Sequence, residues 1–275
     1  MIHEETISKW EDIHSLTLKH KGWIYRGQRD STWPLQTSFE RLCERTPIAL
    51  DERTYVENAL LRDFRRSYHH YGHDGPDKTS NIEWLSIMQH YGAPTRLIDF
   101  SYSMYVAAYF AIEDAHTKAG NSHATVWAVD HSWVLKSSAV LLEKHGKPNA
   151  RMILDYSDES CEDIYQDFFF KKPFANLAVC INPFRLNERL RIQRGVFMCP
   201  GNIECSFMDN LASMPDYEDH VMKIHIPERL RLETLHNLND MNISRTNLFP
   251  GLDGFAQSLG RFHICFTGKP DWLTP

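Results

Sequence analysis

Short runs rich in β-branched and aromatic residues are scattered along this chain at wide, uneven spacing, so any sheet must be assembled from distant pieces. WIYR (23–26) lies between Gly22 and Gly27, and TRLIDF (95–100), ATVWAV (124–129), LAVCI (177–181), GVFMC (195–199), MKIHI (222–226) and FHICF (262–266) follow. Mixed polar and helical stretches separate them. Strands that do not alternate regularly with helices favour an α+β domain over a doubly wound sheet. No repeat, low-complexity tract or linker interrupts the 275 residues, and 42% hydrophobic with 24% charged residues is a folding composition, so a single domain over 1–275 is expected. The longest uncharged apolar stretches, Met104 to Ile112 and Leu177 to Ile181, fall short of the roughly 20 residues that span a bilayer. No membrane contact is expected.

Helical periodicity appears first over 54–71, where Val56, Leu60, Phe64 and Tyr68 recur on one face and Gly72 supplies the stop. After the polar loop 72–80, Asn81 is expected to cap IEWLSIMQHY, which Gly92 closes, and Pro94 then forces extended backbone. Ser103 is expected to cap MYVAAYFAIEDAHTKA (104–119), whose Ala107, Ala108 and Ala111 allow a close approach to a sheet, with Gly120 as its end.

The start, MIHEETISKW, is charged and lacks an apolar h-region, which points to the cytoplasm. The six cysteines (Cys43, Cys161, Cys180, Cys199, Cys205, Cys265) form no C-x-x-C pair and read as reduced structural thiols. A formal charge of −6 argues against binding duplexes through a globally basic surface. His69, His70 and His73 in HHYGH share helical spacing, but spacing identifies no further ligand, so no metal is predicted and the segment reads as a solvated helix end.

P-loop, dinucleotide-fingerprint, nucleophile-elbow and zincin patterns are all missing. Two clusters remain. In Tyr25-Arg26-Gly27-Gln28 a strand delivers a guanidinium beside a glycine, which suits a phosphate clamp or a structural pair with a carboxylate. In QHYGAPTRLID (89–99), His90, Tyr91 and Arg96 supply donors, Thr95 a hydroxyl and Asp99 an acceptor. That density suits a polar, phosphate-bearing or amide-bearing ligand. It equally suits a buried network pinning the turn, with Arg96 bonded to Asp99 or to chain carbonyls.

YRGQ, QHYGAPTRLIDFSYSMYVAAYFAIE, RIQRGVF and LFPGLDGF occur in the order in which similar segments occur in the FRG domain family, and the chain resembles that family over about residues 20–265. Tyr25 stands where the family usually has Phe, and Ser101-Tyr102-Ser103-Met104 where a Ser-Pro helix start is more usual. A weaker resemblance links the aromatic-Arg-Gly strand and DFSYSMYVAAYF to the ADP-ribosyltransferase-like superfamily. This implies a mixed β core with flanking helices. It also implies NAD as substrate, held by Tyr25, Arg26, Gly27, Gln28, Thr95, Ser101 and Ser103, with Arg26, His90, Tyr91, Arg96, Asp99 and Gln193 as the catalytic set. Where the superfamily places a Glu, RIQRGVF offers Gln193, and Glu188 and Glu204 are the nearest acids. Cleavage of NAD passes through a cationic ribose, so an anion is wanted nearby, and Asp99 or Asp253 are the substitutes. Gly195 is read as the turn of RIQRGVF, and LFPGLDGF as a turn packing Leu248, Phe249 and Phe255 on the core.

The resulting expectation is an NAD-dependent ADP-ribosyltransferase acting on a macromolecular acceptor, as a bacterial toxin or anti-phage effector with a neutralising antitoxin protein. RNA is favoured slightly over protein because 62–70 interleaves arginines with Phe64, Tyr68 and histidines. A noncatalytic nucleotide-sensing module and an NAD glycohydrolase are the alternatives. Function is expected to depend on QHYGAPTRLID more than on HHYGH.

Overall fold

The computed structural model of the chain describes residues 2–72, 75–76, 80–114, 123–146, 168–183 and 187–265, the last six by backbone alone. Its strands are β1 (His3–Thr6), β2 (Trp23–Gln28), β3 (Ile98–Ser101), β4 (Ala124–Asp130), β5 (Ala178–Ile181), β6 (Gly195–Pro200) and β7 (Val221–Ile226). They form one 7-stranded sheet in the order β1-β7-β4-β2-β3-β6-β5. β1 runs parallel to β7, and every other neighbouring pair is antiparallel. The mixed α+β architecture follows from the scattered strands. β1, sequence HEET, carries no apolar alternation to announce it. It is held by the β7 ladder and by Glu4, which lies 3.1 Å from His225 and 3.7 Å from Lys223.

The helices that matter to the site are α1 (Glu11–Lys19), α2 (Ser38–Arg45), α3 (Arg53–Tyr68), α4 (Asn81–His90), α5 (Met104–Ile112), α6 (His131–Lys144) and α7 (Glu188–Ile192). Ser80 caps α4, its Oγ accepting from Glu83 N at 3.1 Å, so Asn81 is the first helical residue instead of the cap. Ser103 caps α5 as its position suggested, accepting from Val106 N at 3.4 Å. Residues 115–120 lie outside the described residues. FHIC (262–265) of the FHICF run is not a strand: Leu252–Cys265 is one helix, because Leu252, Phe255 and Leu259 set a helical period after the Pro-Gly turn and the chain keeps it, while Phe266 lies outside the described residues. Among the described residues no helix is long and apolar enough to cross a membrane.

Both faces of the sheet are covered, and period-two alternation divides the strands between them. Tyr25, Val126 and Ile224 pack with α1 and α5 on one side, while Ile24, Trp127 and Val129 join a second cluster with Leu85, Met88 and Phe197. α5 sits directly on β2. A Cβ on Gly27 would come within 2.0 Å of Ala107 O and 2.5 Å of Ala111 N, so glycine is required there by helix–strand approach, which the alanines of α5 permit.

The centre of the sheet is split. β2 pairs with β4 along its whole length, from Trp23↔Asp130 to Gln28↔Thr125, and β3 pairs with β6 along its whole length, from Ile98↔Met198 to Ser101↔Gly195. Between β2 and β3 the register contains only Tyr25↔Ser101. Beyond that pair the two strands diverge, leaving unpaired strand edges for side chains to occupy.

Candidate functional site

Arg26 fills the split. Its Nη1 donates to the Asp99 carbonyl at 2.7 Å and lies 4.0 Å from the Asp99 carboxylate, so a side chain bridges where the backbone ladder stops. Its Nε is buried with no partner. Burial, and secondarily Arg41, pull the Arg26 pKa down against Asp99, which raises it. The guanidinium remains a cation with hydrogen-bonding capacity left for an anion.

Two adjoining lobes open on either side of Arg26 and share Arg26, Gly27 and Phe110. The inner lobe is an open cleft of about 730 Å³, its mouth included, between β2 (Tyr25), β3 (Asp99, Phe100, Ser101), α5 (Ala107) and α7 with its cap (Arg189, Gln193). The outer lobe is an open cleft of about 1080 Å³, its mouth included, and adds Gln28, Arg29, Trp33, Pro34, Gln36, Arg41 and Asp114. Arginines Arg26, Arg29, Arg41 and Arg189 thus face carboxylates Asp99 and Asp114, an excess of positive charge inside a chain of net negative charge.

Tyr25, Arg26, Gly27, Asp99, Ser101 and Gln193 come together in the inner lobe, and Gln28 in the outer one. Several of these polar groups are already committed. Tyr25 donates to His20 O at 2.9 Å, and burial pushes its pKa up to about 12. Gln28 accepts from Trp127 Nε1 at 2.8 Å and donates to Pro34 O at 3.0 Å, bracing the loop after β2. Ser101 Oγ donates to Gln193 O at 2.7 Å and accepts from Ser103 N at 3.0 Å. Gln193 donates one amide N–H to Leu248 O at 2.9 Å. Asp99 accepts from Gln89 Nε2 at 2.8 Å and is, among the described residues, the one carboxylate lining the inner lobe. Glu188 and Asp253 are exposed and Glu204 pairs with Lys172 at 2.7 Å, and none lines either lobe.

His90, Tyr91, Thr95, Arg96 and Ser103 lie outside both lobes. Arg96 corrects the expectation most sharply. Fully buried, it makes a double contact with Glu57 of α3, through Nε at 2.7 Å and through Nη2, while Nη1 donates to Phe169 O at 2.9 Å. Phe169 and Phe170 stack at 5.6 and 4.9 Å. The network alternative for the turn is therefore the one realised, with Glu57 as a partner that no local motif names. Thr95 is equally structural: its Oγ1 donates to Gln89 Oε1 at 2.6 Å and accepts from Leu97 N at 3.2 Å. His90 is half-buried at the end of α4, its pKa lowered first by burial and then by Arg189, and Tyr91 is exposed, edge-on to it at 4.9 Å.

Arg189, Phe110 and the outer-lobe residues from Arg29 onward were not singled out in the sequence. One signal was available: Arg189 precedes Gln193 by one helical turn, so both project from the same face of α7. The left-handed residue of RIQRGVF is Arg194 (φ 49), whereas a Cβ on Gly195 would meet Leu190 Cδ1 at 2.2 Å, so a side chain there would have to displace the leucine. LFPGLDGF braces the cleft. Beyond the Leu248–Gln193 bond, the Phe249 ring lies under Arg189 at 4.5 Å and edge-on to Phe110 at 5.8 Å. Arg245 lies over the same ring at 4.4 Å and is held by Glu113 at 2.9 Å. Leu248 is buried as expected, but Phe255 is 48% exposed instead of packed on the core.

The segment 62–70 does not present the base-stacking face expected of it. Phe64 and Tyr68 turn inward onto Trp84, at 6.4 and 5.3 Å. His69 and His70 are exposed neighbours, and His73 lies outside the described residues. Among the described residues no group of three His, Cys, Asp or Glu could hold a metal. Cys43, Cys180 and Cys199 are buried free thiols, the last two with pKa values driven far up by burial; Cys161 and the Cys265 side chain lie outside the description.

The family model of the FRG domain matches residues 21–120, the stretch that contains β2, β3 and α5 and hence the Arg26–Asp99 contact. Over those residues the chain is similar to the FRG domain family. No curated protein and no solved structure matches the chain. Arg189 and Gln193, the fourth wall of the inner lobe, come from sequence beyond the matched stretch.

Proposed function

We propose that the split-sheet cleft binds NAD and that the protein transfers ADP-ribose from it to a macromolecular acceptor, RNA or protein. The observation that carries this reading is one partly uncommitted guanidinium, Arg26, placed between two lobes, which is the arrangement a diphosphate joining two nucleosides requires. The succession of an aromatic-Arg-Gly strand, a strand running through Ser101 and a closely packed helix supports an ADP-ribosyltransferase-like core. In the transfer, the bond between the ribose C1 and the nicotinamide nitrogen breaks with its electron pair leaving on nicotinamide. The acceptor's nucleophile bonds C1 and loses its proton. In this reading Asp99 offsets the cationic ribose and Gln193 contributes its side-chain oxygen. His90 and Arg96 take no part in this scheme. A chain with this activity acts in the cytoplasm as a toxin or anti-phage effector and requires a neutralising antitoxin partner.

Calorimetry with NAD tests the site. Wild type binds, and Arg26→Ala weakens binding by about 10-fold or more while melting as wild type does; absence of binding, or equal binding by the variant, overturns the assignment. Labelled NAD in cell lysate tests the reaction: macromolecular label removed by nuclease supports RNA, label removed only by protease supports protein, and nicotinamide release without label selects a glycohydrolase. The second reading, a noncatalytic nucleotide-sensing module, draws on the tether of Asp99 to Gln89 and its proximity to Arg26, which reduce the free negative charge offered to a cationic ribose. Binding without release or label selects it.

A further inference from the structure

The outer lobe is built on a loop that the rest of the fold holds still. Resting on the dinucleotide reading above, we infer that it is a purine-nucleotide site, where an adenine-type base stacks on the Trp33–Arg29 layer and its phosphate meets Arg26 and Arg41. Trp33 remains 41% exposed although it lines a concave wall, and the Arg29 guanidinium lies over its ring at 4.9 Å. An indole and a guanidinium plane are the surfaces on which nucleobases stack, and a bicyclic base covers more of them than a pyrimidine does.

The shelf is set before any ligand arrives. Asp30 accepts from Thr32 N at 2.9 Å and Thr32 Oγ1 at 2.7 Å, and Trp33 N donates to Asp30 O at 3.3 Å. Lys223 reaches Ser31 O at 3.4 Å, and Gln28 holds Pro34 O from below. Arg41 is oriented by its bond to Gln36 O at 2.8 Å. A preformed shelf lowers the ordering cost of binding. It also places the purine end of the ligand away from Asp99, leaving the inner lobe for the end that carries the scissile bond.

Calorimetry on the full chain with ADP, CDP, nicotinamide mononucleotide and NAD tests this. ADP binds more tightly than CDP; Trp33→Ala weakens ADP and NAD by about 10-fold, Trp33→Phe restores most of the loss, and nicotinamide mononucleotide is unaffected by either change. The inference is overturned if wild type binds no ADP, if Trp33→Ala leaves ADP binding intact, or if an oligoadenylate strand binds through Trp33 where ADP does not, which would make the lobe a polynucleotide groove. Should ADP bind through Trp33 while NAD and nicotinamide mononucleotide fail to bind, the purine site stands and the dinucleotide reading falls.

Discussion

Arg26 closes the extended run WIYR and Arg96 opens the run TRLIDF, and each reads in sequence as a ligand contact or as a structural pair. The fold treats them oppositely. Arg26 lies where β2 and β3 part, gives one hydrogen bond to a chain carbonyl and faces an open cleft. Arg96 lies just before β3, fully buried and closed in by Glu57 and by two phenylalanines. Side-chain type and a place in an extended run are shared; what differs is whether a distant element brings a carboxylate into full contact. An arginine satisfied by its own protein organises the fold, and one left partly satisfied at a strand split is available to a ligand.

Breaking the buried pair gives the largest expected effect. Arg96→Met leaves the Glu57 carboxylate buried without its partner and should cost about 3–5 kcal/mol in denaturant unfolding, enough to unfold a domain of ordinary stability. The double change Arg96→Met with Glu57→Leu should recover much of that loss, because both charges go together. Arg26→Ala should lower stability far less. If Arg96→Met melts as wild type does and loses only ligand binding, the contrast between the two arginines is wrong.

What was legible in the sequence follows the same division. Local pattern announced β2 through β7, the Ser103 cap and the small alanines by which α5 approaches the sheet, because each is written in contiguous periodicity and punctuation. HEET was silent because an edge strand satisfied by one ladder and by Glu4–His225 needs no apolar alternation. FHICF misled because five apolar-rich residues cannot by themselves distinguish a strand from the last turn of a helix. At the site, Arg26, Asp99 and Gln193 were named and do meet. Their outer neighbours Arg29, Trp33 and Arg41 were passed over because a concave lobe arises from a loop folding back beside α5, and no spacing rule encodes that. Glu57 as the partner of Arg96 was hidden for the same reason: the pair joins two elements far apart in the chain.

The comparison sharpens one level down, at a residue that touches neither lobe. Phe249 stacks under Arg189 and abuts Phe110, while Arg245, anchored on Glu113, fixes the ring from its other contact. Phe249→Leu keeps most of the apolar volume but removes the π surface, worth about 0.5–2 kcal/mol at a partly desolvated site. Ligand affinity should fall a few-fold with little change in melting temperature, and Phe249→Tyr should restore it. Loss of stability matching the loss of affinity would place Phe249 with Arg96, as a core residue, instead of with Arg26.

The smallest expected effect is a pH dependence carried by His20, His90 and His131. Burial lowers the pKa of each below the ordinary histidine value of 6.5, with Lys19 adding to the shift at His20 and Arg189 at His90, while Asp130 opposes it at His131. Because the folded pKa lies below the unfolded one, the unfolded chain takes up protons first as pH falls through 6.5. Stability is therefore full above that value, declines as pH drops toward the folded pKa values, and stops declining below them. His90→Gln cannot titrate, so its melting temperature should fall less than that of wild type between pH 7.5 and 5.5. The difference should shrink when Arg189→Gln is added, since Arg189 is part of what keeps His90 neutral. Parallel melting curves for wild type and His90→Gln across that range would show that α4 ends independently of the cleft, and that the two sides of the split are not electrostatically joined there.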